Sequence, residues 1–363
     1  MLNKIGKNGK IAIICLFVVP IILLLFLLII RGCSSSNSYS KYEKNMISAA
    51  EKYFTNKNSL PKTEGGTVSV SLDDLISNDY IKSTEKKLDD KSCKGSVTVR
   101  NNGASVKNNN GGYYLYIPDL KCENYKTVHL IDKLLNDVVT EKSGLYATTD
   151  GYVYRGSKVN NYVSFFGKKY MIVNIDNNGI LKLVKLDSEE DSVEWDFKYN
   201  PEVDYSYGKN DFSDSNILDE LTGNYLVTSD EKKVHMVAHN VCYGNRNTEY
   251  TAIDYSNECS KVLDNQFITL LSVPDFSMAS YDVDCDSIYS GSCSNYNYLY
   301  DRLYSTWLLN GITDNSYEVY YFGGYIYYTL ASRSNLYNMV IFIDGNELYV
   351  DGDGSASNPY VIK

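Results

Sequence analysis

The chain has no surplus of positive charge: 35 Lys and Arg stand against 45 Asp and Glu, a net −10 with histidine neutral. No Lys/Arg cluster of the kind that tracks phosphates occurs, which argues against nucleic acid as a partner. There is no G-x-S-x-G elbow, no Walker loop and no dinucleotide fingerprint, so none of those chemistries has a sequence signal. No C-x-x-C pair occurs, which removes thioredoxin-type and zinc-ribbon readings. Phe and Trp are scarce at 11 and 2, and tyrosine replaces them with 35 copies. Its ring buries area while the hydroxyl still seeks a partner, which suits binding surfaces and ordinary β packing alike.

Charge is also missing from residues 11–30, a run of twenty largely apolar residues that includes Cys15 and Pro20. Twenty residues at about 1.5 Å rise match a hydrocarbon core of roughly 30 Å, so the run predicts a transmembrane helix with the lipid bilayer as partner. Lys4, Lys7 and Lys10 precede it, which predicts a cytoplasmic tail over 1–10 and an extracellular remainder. A cleavable signal peptide has a shorter apolar region and a small-x-small site, so the run reads as an uncleaved signal anchor in the cell membrane. Acylation of Cys33 is the rival reading, and Arg31 two residues earlier counts against it. A Ser/Asn-rich stalk over 31–40 follows.

Beyond Cys15 and Cys33 six cysteines remain, an even number expected to pair outside the cell: Cys93, Cys122, Cys242, Cys259, Cys285 and Cys293. Sequential pairing is the economical expectation, although the last four allow three connectivities.

From Lys41, Tyr42, Met46, Ala49, Ala50 and Tyr53 recur at helical spacing until Pro61 ends the pattern. Ser71 reads as the N-cap of a short helix carrying Leu72, Leu75 and Ile76. Two β-like stretches follow at 96–100 and 113–117, bracketed on their outer sides by Cys93 and Cys122. Residues 41–128 thus resemble the small pilin-like domains of Gram-positive surface proteins. No Gly-Phe-Thr-Leu-x-Glu processing site precedes the apolar run, so the resemblance implies the shape and not the filament.

After a linker over 129–143, residues 144–363 read as an α+β region in which β dominates. Strands are predicted at 151–154, 161–166, 169–175, 180–186, 267–273, 317–322, 325–330 and 338–343, with helices at 213–222 and 299–309. Asn178-Gly179 between alternating apolar runs is the clearest hairpin signal, since tight turns need positive φ.

The order of Asn161-Tyr162-Val163, Leu270-Leu271-Ser272-Val273-Pro274-Asp275, Asn295-Tyr296-Asn297-Tyr298-Leu299, Trp307-Leu308-Leu309-Asn310 and the closing Asn358-Pro359-Tyr360-Val361-Ile362 resembles an uncharacterised extracellular domain of Gram-positive gut bacteria. That domain resembles the C-type-lectin-like fold shared with the formylglycine-generating enzymes. The resemblance implies a lectin-like fold at the cell surface and no particular ligand.

Enzyme signals are weak. The spacing of Cys285 and Cys293 does not match the reactive cysteine pair of the formylglycine-generating enzymes, and a bridge clipping the loop fits better. His235 and His239 near Cys242 could share a helix face around Zn²⁺, but the alternation of Val234, Met236 and Ala238 reads as a strand, where residues four apart stand about 13 Å from each other. Glu189, Glu190, Asp191 and Glu194 could offer paired carboxylates, and Asp282, Asp284, Asp286, Asp351 and Asp353 could recruit Ca²⁺; solvated loops and turns are the plainer readings. No cofactor and no metal site is assigned. The expectation is a binding or adhesion protein for a glycan or a protein, with an enzyme acting on glycans or cell wall and a structural spacer as the alternatives. The expected binding face comprises Tyr281, Tyr289, Tyr296, Tyr298, Tyr300 and Trp307.

Overall fold

The computed structural model describes residues 38–104, 111–189, 191–203, 206–247, 254–287 and 291–362. Among them the chain is β-rich with short helices and divides into two compact units. The expected transmembrane helix is corrected. Among the described residues no helix is long and apolar enough to cross a membrane, and residues 1–37, with the whole 11–30 run, lie outside them. The longest described helix, α1 (residues 38–57), is amphipathic. It buries Tyr42, Met46, Ala49, Ala50 and Phe54 on one face and exposes charged residues such as Glu51 and Lys52 on the other.

The first unit holds the described part of Met1–Leu60 together with Val68–Val99 and Pro118–Thr127. A three-stranded sheet runs in the order β1 (Thr67–Ser71), β2 (Lys94–Ala104), β3 (Gly112–Lys121). Ser71 ends β1 and caps α2 (Leu72–Ser77), accepting from the Asp74 N–H at 3.0 Å. A second short helix, α3 (Thr84–Leu88), precedes the Cys93–Cys122 bridge, which ties the outer ends of β2 and β3. Gly95 is required there, because a Cβ would stand 2.3 Å from the Asp119 carbonyl oxygen.

The second unit comprises Pro61–Thr67, Arg100–Ile117 and Val128–Lys363. After α4 (Leu130–Leu135) come β4 (Gly144–Thr148), β5 (Gly151–Arg155), β6 (Tyr162–Phe165), β7 (Lys168–Asp176) and β8 (Ile180–Lys185). The β7–β8 hairpin turns at Gly179, whose φ of +78° needs glycine. Asp176 secures the turn by accepting from the N–H groups of Asn178 (2.9 Å) and Ile180 (2.8 Å). Then follow β9 (Val193–Glu194), α5 (Asn216–Val227), α6 (Asp230–Lys233), β10 (His239–Cys242), β11 (Val262–Gln266), β12 (Ile268–Thr269) and α7 (Val273–Met278). The chain closes with α8 (Tyr298–Arg302), β13 (Thr306–Gly311), β14 (Glu318–Phe322), β15 (Ile326–Leu330), β16 (Ser334–Asn335), β17 (Val340–Asp344), β18 (Tyr349–Asp351) and β19 (Tyr360–Ile362).

The main sheet has the order β12-β17-β8-β7-β6-β19-β18, antiparallel except for the parallel pair β6–β19. Strand β7 forks: its first half pairs with β6 and its end with β5, which carries β4. Asn161, fully buried, sits at the fork and donates from its side chain to the Ile172 carbonyl at 2.8 Å.

Three expectations shift. The helix expected at 213–222 is α5, delayed because Phe212–Asp214 forms a 3-10 turn and Ser215 takes the cap, accepting from the Leu218 N–H at 3.2 Å. The helix expected at 299–309 stops after five residues, because Thr306–Gly311 is drawn into a β ladder with β14. The strand expected at 267–273 lasts two residues, because Pro274 and the Ser272/Asp275 capping pair start α7.

Candidate functional site

The register of the main sheet assembles a pocket floor. Val153 of β5 lies opposite Asn174 of β7, Asn174 opposite Lys182 of β8, and Lys182 opposite Phe342 of β17. Thr269 of β12 pairs with Val340, two residues from Phe342 and hence on the same face. An irregularity between Ile172 and Asn174 in the β7–β8 pairing lets Asn174 join this row. Above the row stand Met278 of α7, Leu309 of β13, Tyr255, and the Cys242–Cys259 bridge, enclosing a pocket of about 250 Å³. The Thr148, Asp150 and Tyr152 turn, together with Asp176 and His239, completes its rim.

A charged network lies within the wall. Asp275, fully buried in the first turn of α7, accepts from Lys182 Nζ at 2.6 Å, from the Tyr255 hydroxyl at 2.6 Å, and from the Ser272 N–H and hydroxyl at 2.6 and 2.9 Å. Asn174 in turn donates to the Tyr255 oxygen at 3.1 Å. Both oxygens of Asp275 are therefore occupied by donors of the pocket wall itself. Burial, reinforced by the Asp275 charge, pushes the Tyr255 hydroxyl well above the usual tyrosine range, so it remains a donor.

Tyr255 is delivered by a braced loop. Arg246 and Glu258, both fully buried, pair at 2.6 Å, and Arg246 also donates to the Asp254 carbonyl at 3.1 Å. The N–H of Cys259, whose side chain forms the disulfide, reaches the Tyr255 carbonyl at 3.2 Å.

At the rim, His239 Nε2 lies 3.3 Å from Asp176 Oδ2 and its ring stacks on Phe342 at 4.6 Å. Burial would raise the Asp176 carboxyl, but the His239 hydrogen bond and the Ile180 and Asn178 N–H groups outweigh it and hold it below the usual carboxylate range. Thr269 is fully buried, and its hydroxyl makes no hydrogen bond among the described residues.

The expected site residues scatter. Tyr281 and Tyr296 are exposed and stand near each other, with ring centroids 6.5 Å apart, and Tyr289 lies outside the described residues. Tyr298 and Trp307 do not belong to a surface: both are fully buried, Trp307 donating to the Val193 carbonyl at 2.7 Å and Tyr298 packing beneath the β7 fork. Tyr300 is half-buried against Phe276 and Phe322, and its outer edge meets Tyr325 at 6.4 Å. Exposed tyrosines instead gather on the β14–β15 hairpin, where Tyr325 and Tyr327 are 55% and 48% exposed and Tyr327 lies opposite Tyr321.

His235 and His239 do not converge on a metal: His235 Nδ1 takes Glu347 Oε1 at 2.7 Å while His239 turns to Asp176. Among the described residues one cluster of three potential ligands appears, Asp90 with Cys93 and Cys122, and both of its sulfurs are consumed by the disulfide. Glu189 is paired with Lys185 at 2.6 Å and Glu194 accepts from Ser334, while Glu190 lies outside the described residues. Asp282 and Asp353 accept backbone N–H groups two residues on, and Asp351 accepts the Gly352 N–H, as turn residues do.

The bridges join Cys93 to Cys122, Cys242 to Cys259 and Cys285 to Cys293. Three disulfides suggest a chain that folds in an oxidising compartment, as extracellular and secreted proteins do. Sequence reasoning missed the pocket network. Its one local signal was Lys182 inside the otherwise apolar run Ile180–Val184, a charge at a central strand position that needs a buried partner. Compared with known proteins, the chain matches no family model, no curated protein and no solved structure.

Proposed function

We propose that this chain is an extracellular binding protein whose second unit holds a small molecule in the pocket beneath α7. The observation that carries the reading is the pocket itself: apolar walls from Val153, Ile175, Met278, Leu309 and Phe342, with a few convergent polar groups on its floor. The resemblance to lectin-like extracellular domains supports the same class. Calorimetric titration of a small-molecule panel tests it, run on the wild-type protein and on Leu309→Trp, which fills the pocket. Saturable one-to-one binding lost in Leu309→Trp is expected; binding unchanged in that variant, or no binding by a folded wild type, would refute the reading.

A second reading rests on the exposed rings of Tyr325 and Tyr327, which could stack on the apolar faces of sugars. On that reading, Tyr325→Ala with Tyr327→Ala abolishes retention on a glycan array without shifting Tm; equal retention by the double variant contradicts it.

A further inference from the structure

Given a small-ligand pocket, we propose that its ligand is an organic cation: an ammonium at one end of an apolar, ring-sized body, with a hydroxyl at the other.

The charge on the lining decides the first part. Lys182 is the only Lys or Arg among the described lining residues, and Asp275 at 2.6 Å already neutralises it. Asp150 and Asp176 line the rim; Asp176 is bonded to His239, at 3.3 Å, and to the Asn178 and Ile180 N–H groups, while Asp150 has no Lys or Arg partner among the described residues. An anionic ligand would meet two carboxylates, with Lys182 taken by Asp275 and the His239 imidazole by Asp176, whereas an ammonium meets both carboxylates beside the rings of Tyr152 and Tyr255. The walls between are apolar, which fixes the body of the ligand.

Thr269 decides the far end. Its fully buried hydroxyl has no partner among the described residues, and Thr269 lines the pocket. A buried polar group without a partner is rare and calls for a ligand atom or a water. Strand β12 is three strands from β7, about 14 Å at the usual strand spacing. An arylalkylamine carrying a terminal hydroxyl, with a hydrogen bond at each end, spans that distance.

The test uses probes that share one body and differ in charge: tyramine, its neutral alcohol 2-(4-hydroxyphenyl)ethanol and its acid 3-(4-hydroxyphenyl)propionate, with phenethylamine lacking the hydroxyl. They are titrated calorimetrically into the oxidised full-length protein. Tyramine is expected to bind about twofold to fivefold tighter than the alcohol, with the acid weakest, and Asp150→Asn is expected to narrow that margin. The preference for tyramine over phenethylamine is expected to vanish in Thr269→Val, a substitution of nearly equal shape. An alcohol or acid that binds as tightly as the amine overturns the cation while leaving the small-molecule pocket standing. Binding by none of the four overturns this inference, and the panel with Leu309→Trp then decides separately whether the pocket binds anything.

Discussion

At the residue scale the second unit keeps several ionisable groups out of water, and each has a partner that explains its position. His235 and the fully enclosed Glu347 are the pair with a measurable pH consequence. Burial alone would lower the His235 imidazole, but the hydrogen bond and charge of Glu347, helped by Glu231, outweigh it and raise it above 6.5. Burial raises the Glu347 carboxyl, the nearby Asp344 adds to this, and His235 only partly offsets the two. A raised histidine contributes stability that is complete below its unfolded value near 6.5 and is lost as pH climbs through the folded value. The stability gap between wild type and His235→Gln is therefore expected to be about 1–2 kcal/mol at pH 6 and to shrink toward pH 8.5. Thermal melts across that range check it; a gap that stays constant or widens with pH contradicts the pairing.

Single residues also mark where the sequence was hardest to read. Tyr298 and Trp307 look like surface binding residues in a tyrosine-rich stretch, yet their polar atoms find backbone carbonyls inside the core, at Ile172 and Val193. Those partners lie more than a hundred residues away, so no local pattern announces them. Thr269 shows the converse: an ordinary strand residue becomes informative only when its surroundings prove to lack a partner.

At the element scale, local chemistry carried most of what was legible. The Asn-Gly hairpin, the Ser71 cap and the amphipathic face of α1 lie where spacing and cap chemistry predict them. Errors came where long-range pairing beat propensity, as when Trp307, Leu308 and Leu309, good helix or strand material, joined β14 and ended α8 early. The disulfides clip elements at very different loop lengths, separating their cysteines by 29, 17 and 8 positions. Loop-closure entropy then makes the Cys93–Cys122 bridge worth about 3.5 kcal/mol and the Cys285–Cys293 bridge about 2.5. Paired Cys→Ser variants are expected to rank in that order in chemical denaturation, each followed in the unit that holds the bridge; a larger loss from the shorter loop would contradict it.

At the scale of the whole molecule, an even set of six cysteines became three bridges, and this is the firmest link between sequence and environment. The pocket was not legible, because its floor is written across five strands and its wall across a helix, a further strand, a loop and a disulfide. Only the register brings Val153, Asn174, Lys182, Phe342 and Thr269 to one face. The same register makes the account testable at one atom. Met278 lines the pocket, whereas Met46 belongs to the first unit, so their methyl groups report on different places. Of the six methionines in the chain, Met278 is expected to shift first when a ligand is titrated.

The deciding measurement is therefore a methyl NMR titration of the ¹³C-methionine-labelled full-length protein with tyramine. The account predicts a saturable shift of the Met278 methyl, absent in Leu309→Trp, while Met46 stays still. A Met278 signal that does not move, or that moves equally in the filled variant, would contradict a ligand in this pocket.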